Sequence, residues 1–208
     1  MPPPARHVLL VRHGQSVWNA ENRWQGQADP PLSELGAKQA RDAAPRLATM
    51  GFSAVVASTL RRARGTGEIL AEALGLDLEL DADLREIDVG IWTGLTRSEI
   101  DARWPGELAA WSEGRSESTP GGEARTALTD RARAAITRRA AAASPGDRLL
   151  FVTHGALIRN LDRVLWLEPQ SVGNLGGRWY RADGNGSLEP GDLVDLADPE
   201  DRTVSPSP

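Results

Sequence analysis

The sequence predicts an α/β protein, a three-layer sandwich whose central sheet is mostly parallel and carries helices on both faces. Two short apolar segments, residues 8–11 and 149–152, have the composition of buried parallel strands. Strand-like segments also alternate with amphipathic, helix-like segments, and this order joins parallel strands through right-handed crossovers. A length of 208 residues suits a single domain.

The first half of the chain contains two strand–helix units. After the first strand, Ser33 offers a helix N-cap, and small apolar residues recur at helical spacing over residues 40–47. Pro45 falls inside this helix, and we expect it to kink or interrupt the helix. The next strand is predicted at residues 54–57, and residues 60–74 carry the apolar stripe of the helix that follows.

The second half continues the alternation. Residues 78–80 are a possible further strand, and a capping box at residues 96–99 opens a helix that ends at a proline. Apolar spacing predicts a long helix around residues 128–136 and another over 157–165, on either side of the strand at 149–153. Glycine-punctuated segments at 173–196 indicate an edge hairpin.

We expect the domain to occupy residues 1–196. The tail, residues 197–208, contains proline, serine and acidic residues without apolar periodicity, so it is expected to be disordered.

Composition limits the possible chemistry and partners. The chain has no cysteine, which excludes disulfides, thiol nucleophiles and cysteine zinc sites. A net charge of −5 argues against a nucleic-acid or anionic-membrane partner. No apolar run approaches the roughly 18 residues that a membrane span needs, so a cytoplasmic protein is expected. Whether the chain forms a homodimer stays open.

Two of the three histidines directly follow predicted strands, where α/β sheets bind their ligands. Arg62 opens a helix after a third strand, so two arginines and two histidines should converge near helix N-termini. Guanidinium groups match phosphate oxygens, which predicts an anion site. Cations beside the histidines argue against a metal site, and no cofactor is expected. The two histidine segments are Arg12-His13-Gly14 and Thr153-His154-Gly155.

Five ordered blocks of the sequence resemble the histidine phosphatase superfamily, in its phosphoglycerate-mutase-like branch. The resemblance covers about residues 7–165 and implies the phosphoglycerate-mutase-like fold. The chain departs from the family pattern at Thr59, where aspartate is common, and at Gly67, where alanine is common. The blocks are Leu10-Val11-Arg12-His13-Gly14-Gln15-Ser16-Val17-Trp18-Asn19, Ser58-x-Leu60-x-Arg62-Ala63, Leu84-Arg85-Glu86-Ile87-Asp88-x-Gly90-x-Trp92-x-Gly94-Leu95, Pro120-Gly121-Gly122-Glu123 and Val152-Thr153-His154-Gly155.

The resemblance implies a role for each residue of the site. His13 is the nucleophile that forms a phosphohistidine, and Glu86 is the general acid that later activates water. Arg12, Arg62 and His154 hold the phosphoryl oxygens. Asp88 competes with Glu86 for the acid role, although the spacing to the following glycine and tryptophan favours Glu86. The further phosphate or substrate contacts implied are Asn19, Gln25, Gly26 and the backbone at Gly155.

Three functions are compatible with these motifs. The block after the acid resembles that of the phosphatase branch. The N-terminal half, together with residues 94–101, is similar to bacterial glucosyl-3-phosphoglycerate phosphatases and broad-specificity sugar-phosphate phosphatases, which implies a phosphatase acting on small sugar or glycerate phosphates. A cofactor-dependent phosphoglycerate mutase is the first alternative. A non-catalytic module that binds a phosphorylated ligand is the second, and such a module would be expected to lack the nucleophile or the acid.

Tryptophans are unusually frequent, seven against one tyrosine and two phenylalanines. An insertion at about residues 95–119, which covers the site in relatives, is expected to be lid-like, and whether it moves stays open. Core packing is the ordinary role of an aromatic side chain, and a wall against the organic half of a substrate is the alternative. The tryptophans concerned are Trp18, Trp24, Trp92, Trp104 and Trp111.

Overall fold

The computed structural model describes residues 5–168, 170–183 and 185–201, which form a six-stranded sheet with helices on both faces. The strand order is β3-β2-β4-β1-β5-β6. The strands are β1 (Arg6–Arg12), β2 (Ala54–Ser58), β3 (Leu78–Asp81), β4 (Arg148–Thr153), β5 (Gly176–Ala182) and β6 (Leu188–Asp195). The helices are α1 (Val17–Ala20), α2 (Glu34–Ala48), α3 (Arg61–Leu74), α4 (Arg97–Arg103), α5 (Glu107–Ser112), α6 (Arg125–Ala142) and α7 (Gly155–Val164), with short 3-10 turns at Ala82–Leu84, Gly90–Trp92 and Pro199–Asp201.

The sheet is parallel across four strands and antiparallel at one edge. β1, β4, β2 and β3 run in the same direction, while β5 pairs antiparallel with β1 and β6 with β5. In the central pair, Val11 lies opposite Val152 and Arg12 opposite Thr153. Because these two strands end in register, the residues that follow them leave the sheet side by side.

Alternate side chains of the central strands enter two separate cores. Leu10 and Phe151 face a cluster that includes residues of α6 and α7. Leu9 and Leu150 face the opposite cluster, with residues of α2 and α3. This period of two is the geometry of a strand, and it confirms the predicted three-layer α/β sandwich.

The helix signals in the sequence are found in the structure. Ser33 caps α2 by accepting a hydrogen bond from the Gly36 N–H at 3.0 Å, and Thr96 and Glu99 form the expected capping box of α4. Pro45, however, does not interrupt α2, which continues to Ala48. Pro45 lies near the C-terminal end of α2 and has no N–H, so only the Arg41 carbonyl loses its helical hydrogen bond. Arg41 is exposed, and water can reach this carbonyl instead.

The prediction of a disordered tail is wrong for residues 197–201. Ala197 is buried, Pro199–Asp201 forms a 3-10 turn, and Asp201 makes an ion pair with Lys38. The Gln39 side-chain amide also donates to the Asp201 carbonyl at 2.7 Å. Burial and these contacts with α2 order a segment whose composition alone suggested disorder. Residues 202–208 lie outside the described residues, and the domain limits stay predictions.

Three of the tryptophans belong to the core. Trp24, Trp92 and Trp111 are each 1% exposed, and the rings of Trp24 and Trp92 meet edge to face with centroids 5.4 Å apart. Trp111 and Leu108, on α5, bring the predicted lid segment into the same cluster. The packing interpretation therefore holds for these three side chains. No described helix is long and apolar enough to cross a membrane.

Truncation of Trp24 tests this assignment. We expect Trp24→Ala to lower the free energy of unfolding by about 3–5 kcal/mol, because it leaves a cavity in a packed core. The matched control is Trp166→Ala, since Trp166 is 95% exposed; its effect should stay within about 0.5 kcal/mol. Urea unfolding measures both, and equal small effects would contradict the core assignment.

Candidate active site

The structure brings together the five residues predicted to carry the chemistry. His13 and His154 follow β1 and β4, and their ring centroids are 5.1 Å apart. The His13 N–H donates to the Thr153 carbonyl at 3.0 Å, which extends the strand pairing into the site. The five side chains are all buried: Arg12, His13, Arg62, Glu86 and His154.

Hydrogen bonds fix the tautomer of His13. Its Nδ1 lies 2.6 Å from the Gly14 carbonyl, which can only accept, so Nδ1 carries the proton. The Nε2 lone pair then accepts from Arg62 Nε–H at 3.2 Å. Burial and the charges of Arg62 and Arg12 hold the pKa of His13 well below its usual value. At neutral pH the imidazole is therefore uncharged and nucleophilic at Nε2.

Arg62 is held by backbone carbonyls on its other side. Its two terminal nitrogens donate to Ala28 and Gly26, each at 2.8 Å. Gly26 has a φ of +49°, and a Cβ there would lie 2.9 Å from the Val89 nitrogen, so the turn requires glycine. Gly26 thus positions Arg62 through its carbonyl, and a direct contact of Gly26 with substrate stays a prediction. Burial lowers the pKa of Arg62 to about 10, which leaves it charged at neutral pH.

Arg12 and His154 each keep a nitrogen without a partner in the described part of the chain. One terminal nitrogen of Arg12 donates a hydrogen bond to the Val172 carbonyl at 2.8 Å, while its buried Nε has no partner. His154 Nε2 lies 2.8 Å from the Ser58 hydroxyl, and its buried Nδ1 has none. Buried polar atoms are normally paired. These two atoms are accordingly candidates to bind the oxygens of an anion.

The pKa of His154 is also held well below its usual value, first by burial and then by Arg62 and His13. The imidazole is therefore neutral in the protein without ligand. A phosphate dianion bound nearby would favour the charged form of this imidazole. Ser58, which pairs with His154, is the first residue of the motif that contains Arg62, but the sequence assigned it no role.

The Glu86 carboxylate lies at the N-terminus of α7. It accepts hydrogen bonds from the N–H groups of Ala156 at 3.0 Å, Leu157 at 3.2 Å and Ile87 at 3.0 Å. The exposed N–H groups and partial positive charge of a helix start favour an anion there. Asp88 instead accepts from Gly90 N–H at 2.9 Å. The geometry therefore favours Glu86 over Asp88 for a role at the site.

A salt bridge holds the backbone that carries Glu86. Arg131 pairs with Glu123 at 2.7 Å and donates to the carbonyls of Asp83, Arg85 and Glu86 at 2.6–3.0 Å. The motif at residues 120–123 marked Glu123, but nothing in the sequence identified Arg131 as its partner.

The remaining predicted contacts lie around the site with structural roles of their own. The Asn19 side-chain oxygen accepts from Ser16 N–H in the capping box of α1, and Gln25 accepts from the Ser16 hydroxyl at 2.8 Å. Gly155 is the first residue of α7. Binding of substrate by Asn19, Gln25 and Gly155 stays a prediction. Asn174, which sequence reasoning missed, donates to the His13 carbonyl at 2.8 Å.

The arrangement suits an anion better than a cation. Among the described residues, no group of three or more histidine, cysteine or acidic side chains could hold a metal ion. The two histidines lie among arginines, which repel a cation. The site therefore offers a neutral nucleophile, guanidinium groups and one carboxylate.

Comparison with known proteins identifies the family. The family model for the histidine phosphatase superfamily, branch 1, matches residues 8–175. The chain belongs to the histidine phosphatase superfamily. It is 37% identical over 193 residues to glucosyl-3-phosphoglycerate phosphatase of Mycobacterium tuberculosis, covering 87% of this chain and 86% of the relative. It is 41% identical over 152 residues to the probable phosphoglycerate mutase GpmB of Citrobacter koseri, covering 71% and 69%.

Solved structures agree with this histidine phosphatase assignment. The mycobacterial glucosyl-3-phosphoglycerate phosphatase in complex with VO3 has a TM-score of 0.81 at 34% identity, over 90% of this chain and 97% of that one. Bacillus stearothermophilus YhfR has a TM-score of 0.81 at 27% identity, over 92% and 99%. The predicted family and the phosphoglycerate-mutase-like fold are confirmed.

The two buried imidazoles predict an acid-sensitive fold. The unfolded chain takes up protons on these histidines near pH 6.5, whereas the folded chain does not, because both folded pKa values are lowered. The unfolded state therefore binds more protons below that pH, and stability falls as the pH falls, by up to about 1.4 kcal/mol per pH unit for each imidazole.

Urea unfolding at about pH 7, 6 and 5 measures this slope. His13→Asn and His154→Asn should each reduce it, since each variant removes one titrating group. A slope unchanged in the double variant would show that other groups carry the acid sensitivity.

Proposed function

We propose that this protein hydrolyses phosphate monoesters through a phosphohistidine on His13, with Glu86 as general acid and then general base. Phosphoric monoester hydrolase is the enzyme class of its close relatives in the family. The observation that carries the proposal is the buried, neutral His13, whose Nε2 lone pair faces Arg62 with the Glu86 carboxylate in the same pocket.

The first step transfers the phosphoryl group to the protein. His13 Nε2 forms a bond to phosphorus as the bond to the ester oxygen breaks, and protonated Glu86 gives its proton to the leaving alkoxide. Nδ1 of His13 keeps its proton and donates a hydrogen bond to the Gly14 carbonyl, which stabilises the positive charge that develops on the ring. Splitting the reaction suits phosphate monoesters because their direct hydrolysis is extremely slow.

The second step returns the enzyme to its starting state. Water attacks phosphorus, the phosphorus–nitrogen bond breaks, and the Glu86 carboxylate takes a proton from that water. Arg12, Arg62 and His154 hold the phosphoryl oxygens in both steps, and a buried site strengthens these interactions. Inorganic phosphate leaves, and no metal ion takes part.

We propose small sugar or glycerate phosphates as substrates, with glucosyl-3-phosphoglycerate among them. Support comes from the mycobacterial relatives that carry that substrate in their names and align over most of this chain. Phosphoglycerate mutase is the alternative, favoured by the GpmB relatives, which align over less of the chain. A non-catalytic module is disfavoured, since both His13 and Glu86 are present. A cytoplasmic location and a homodimer stay predictions.

Phosphate release from a panel of esters tests the proposed function. We expect glycerate and sugar phosphates to be hydrolysed with EDTA present, since neither step uses a metal, and His13→Ala to lose turnover because it lacks the nucleophile. Phosphate release is measured colorimetrically. Activity that EDTA abolishes and a divalent ion restores would exclude the phosphohistidine mechanism, and transfer between glycerate positions without phosphate release would indicate the mutase.

Glu86→Gln tests the acid role. The variant cannot donate a proton, so esters of sugar alcohols should react about 10²–10⁴ times more slowly. An activated aryl phosphate should lose far less in the phosphorylation step, because its leaving group needs no proton. Pre-steady-state rates measured with both esters show whether the loss is confined to the ester with the poor leaving group. Asp88→Asn is the matched control. Equal losses on the two esters would remove Glu86 from the acid role.

A further inference from the structure

The proposed general acid lies on a segment without regular secondary structure. Residues 85–89, which we call the acid loop, connect the 3-10 turns at Ala82–Leu84 and Gly90–Trp92 and belong to neither a helix nor a strand. The start of the loop is tied to the sheet, because the Thr153 hydroxyl donates to the Leu84 carbonyl at 2.9 Å. Beyond that point the loop has no backbone ladder of its own, so contacts with other segments must fix it.

Arg131, on α6, binds three backbone carbonyls at the acid loop and just before it. Its terminal nitrogens donate to the carbonyls of Asp83 at 2.7 Å, Arg85 at 2.6 Å and Glu86 at 3.0 Å. Its Nε and one terminal nitrogen donate to the two carboxylate oxygens of Glu123, at 2.7 and 2.9 Å. These contacts use all five N–H donors of the guanidinium. One of them ends on the carbonyl of the acid residue itself.

The sequence block at residues 120–123 meets the acid loop as well. The Glu123 N–H donates to the Asp88 carbonyl at 2.9 Å, and the Asp88 N–H donates to Glu123 Oε2 at 3.2 Å. A Cβ on Gly122 would lie 2.6 Å from the Asp88 carbonyl oxygen, so this close approach requires glycine. The resemblance gave this block no role, and in the structure it holds the loop that carries Glu86.

Arg131 and Glu123 are withdrawn from solvent together. Their side chains are 18% and 17% exposed. An exposed ion pair contributes little, whereas a partly buried pair whose other donors are also bonded keeps one geometry. Glu123 balances the charge of Arg131, so the guanidinium supplies hydrogen bonds to the acid loop without an uncompensated charge.

We propose that Arg131 is a positioning residue for the general acid. Held by Glu123, it fixes the acid loop so that the Glu86 carboxyl group is placed at the leaving oxygen of the ester. Arg131 itself takes no part in the chemistry, because its donors end on backbone carbonyls and on Glu123. A misplacement of about 1 Å can slow a reaction step about 10²-fold. This inference rests on the proposed function and deepens it, since it concerns the acid of that reaction.

Comparison of a poor with a good leaving group tests the proposal. Pre-steady-state release of the alcohol is measured for 3-phosphoglycerate, whose leaving group needs a proton, and for 4-nitrophenyl phosphate, whose leaving group does not. Arg131→Lys keeps the charge but loses the planar fork that reaches three carbonyls. We expect it to slow 3-phosphoglycerate about tenfold or more and 4-nitrophenyl phosphate far less. Equal losses on the two esters would overturn the proposal.

A double-mutant cycle shows whether Arg131 acts through Glu86. In the Glu86→Gln background the acid is already lost, so adding Arg131→Lys should slow 3-phosphoglycerate no further. A contribution to stability alone would lower the rate by the same factor in both backgrounds. That additive result would overturn the proposal.

Arg138→Lys is the matched control. Arg138 lies two turns further along α6, and it binds the carboxylates of Asp81 and Asp83, ahead of the acid loop. Both rates should stay unchanged in this variant. Glu123→Gln is the second test variant, since it removes the ion pair but keeps the shape of the side chain, and it should show the same selective loss. Thermal unfolding shows that each variant is folded, and Glu123→Gln decides the outcome if Arg131→Lys is not.

Hydrogen exchange separates this proposal from the proposed function. Arg131→Lys should speed amide exchange in the acid loop, while β1 and β4 keep their protection. If the unaltered protein hydrolyses neither ester, the hydrolase function fails, and exchange that rises only in the acid loop still supports positioning by Arg131. If both esters are hydrolysed but exchange in the loop is unchanged, the hydrolase function stands and the positioning role fails.

Discussion

The parallel pairing of β1 with β4 is the constraint on which the site depends. Because the two strands end in register, His13 and His154 leave the sheet as neighbours, and the His13 N–H still bonds to the Thr153 carbonyl. Each strand is then followed by a segment that supplies the rest of the pocket. β1 leads into the loop whose carbonyls hold Arg62, and β4 leads into α7, whose first N–H groups hold Glu86. A slip of one residue would turn one imidazole to the opposite face.

Electrostatics explains why these groups can coexist in a buried pocket. Guanidinium groups keep their protons even when burial lowers the pKa of Arg12 and Arg62 to about 10. Imidazoles in the same environment lose theirs, since both burial and the neighbouring cations favour the neutral ring. One environment therefore produces permanent cations and a neutral nucleophile together. The Glu86 carboxylate, placed on a helix start, is the anion that partly compensates the arginines.

Sequence reasoning was most successful where the determinant is local. Apolar segments predicted the central strands, and Ser33 as an N-cap predicted the start of α2. The ordered motifs predicted the five residues that the structure brings together. It failed where the determinant is a contact between distant segments. Arg131 holds carbonyls more than forty residues away, and its position in α6 carries no sign of this. For Trp24 the sequence favoured the core and left a substrate wall as the alternative, and only the packing against Trp92 decides between them.

The ordered residues at the end of the described chain reach the nucleophile loop through one side chain. Gln39 is 1% exposed, and while its nitrogen bonds to the Asp201 carbonyl, its oxygen accepts from the backbone N–H of Gln15 at 2.8 Å. Gln15 is two residues beyond His13. Two hydrogen bonds on one amide thus join the far end of the fold to the loop that turns away from the nucleophile. Relatives that end earlier or differ there would need another acceptor for this amide, since an unpaired buried donor costs about 1–3 kcal/mol.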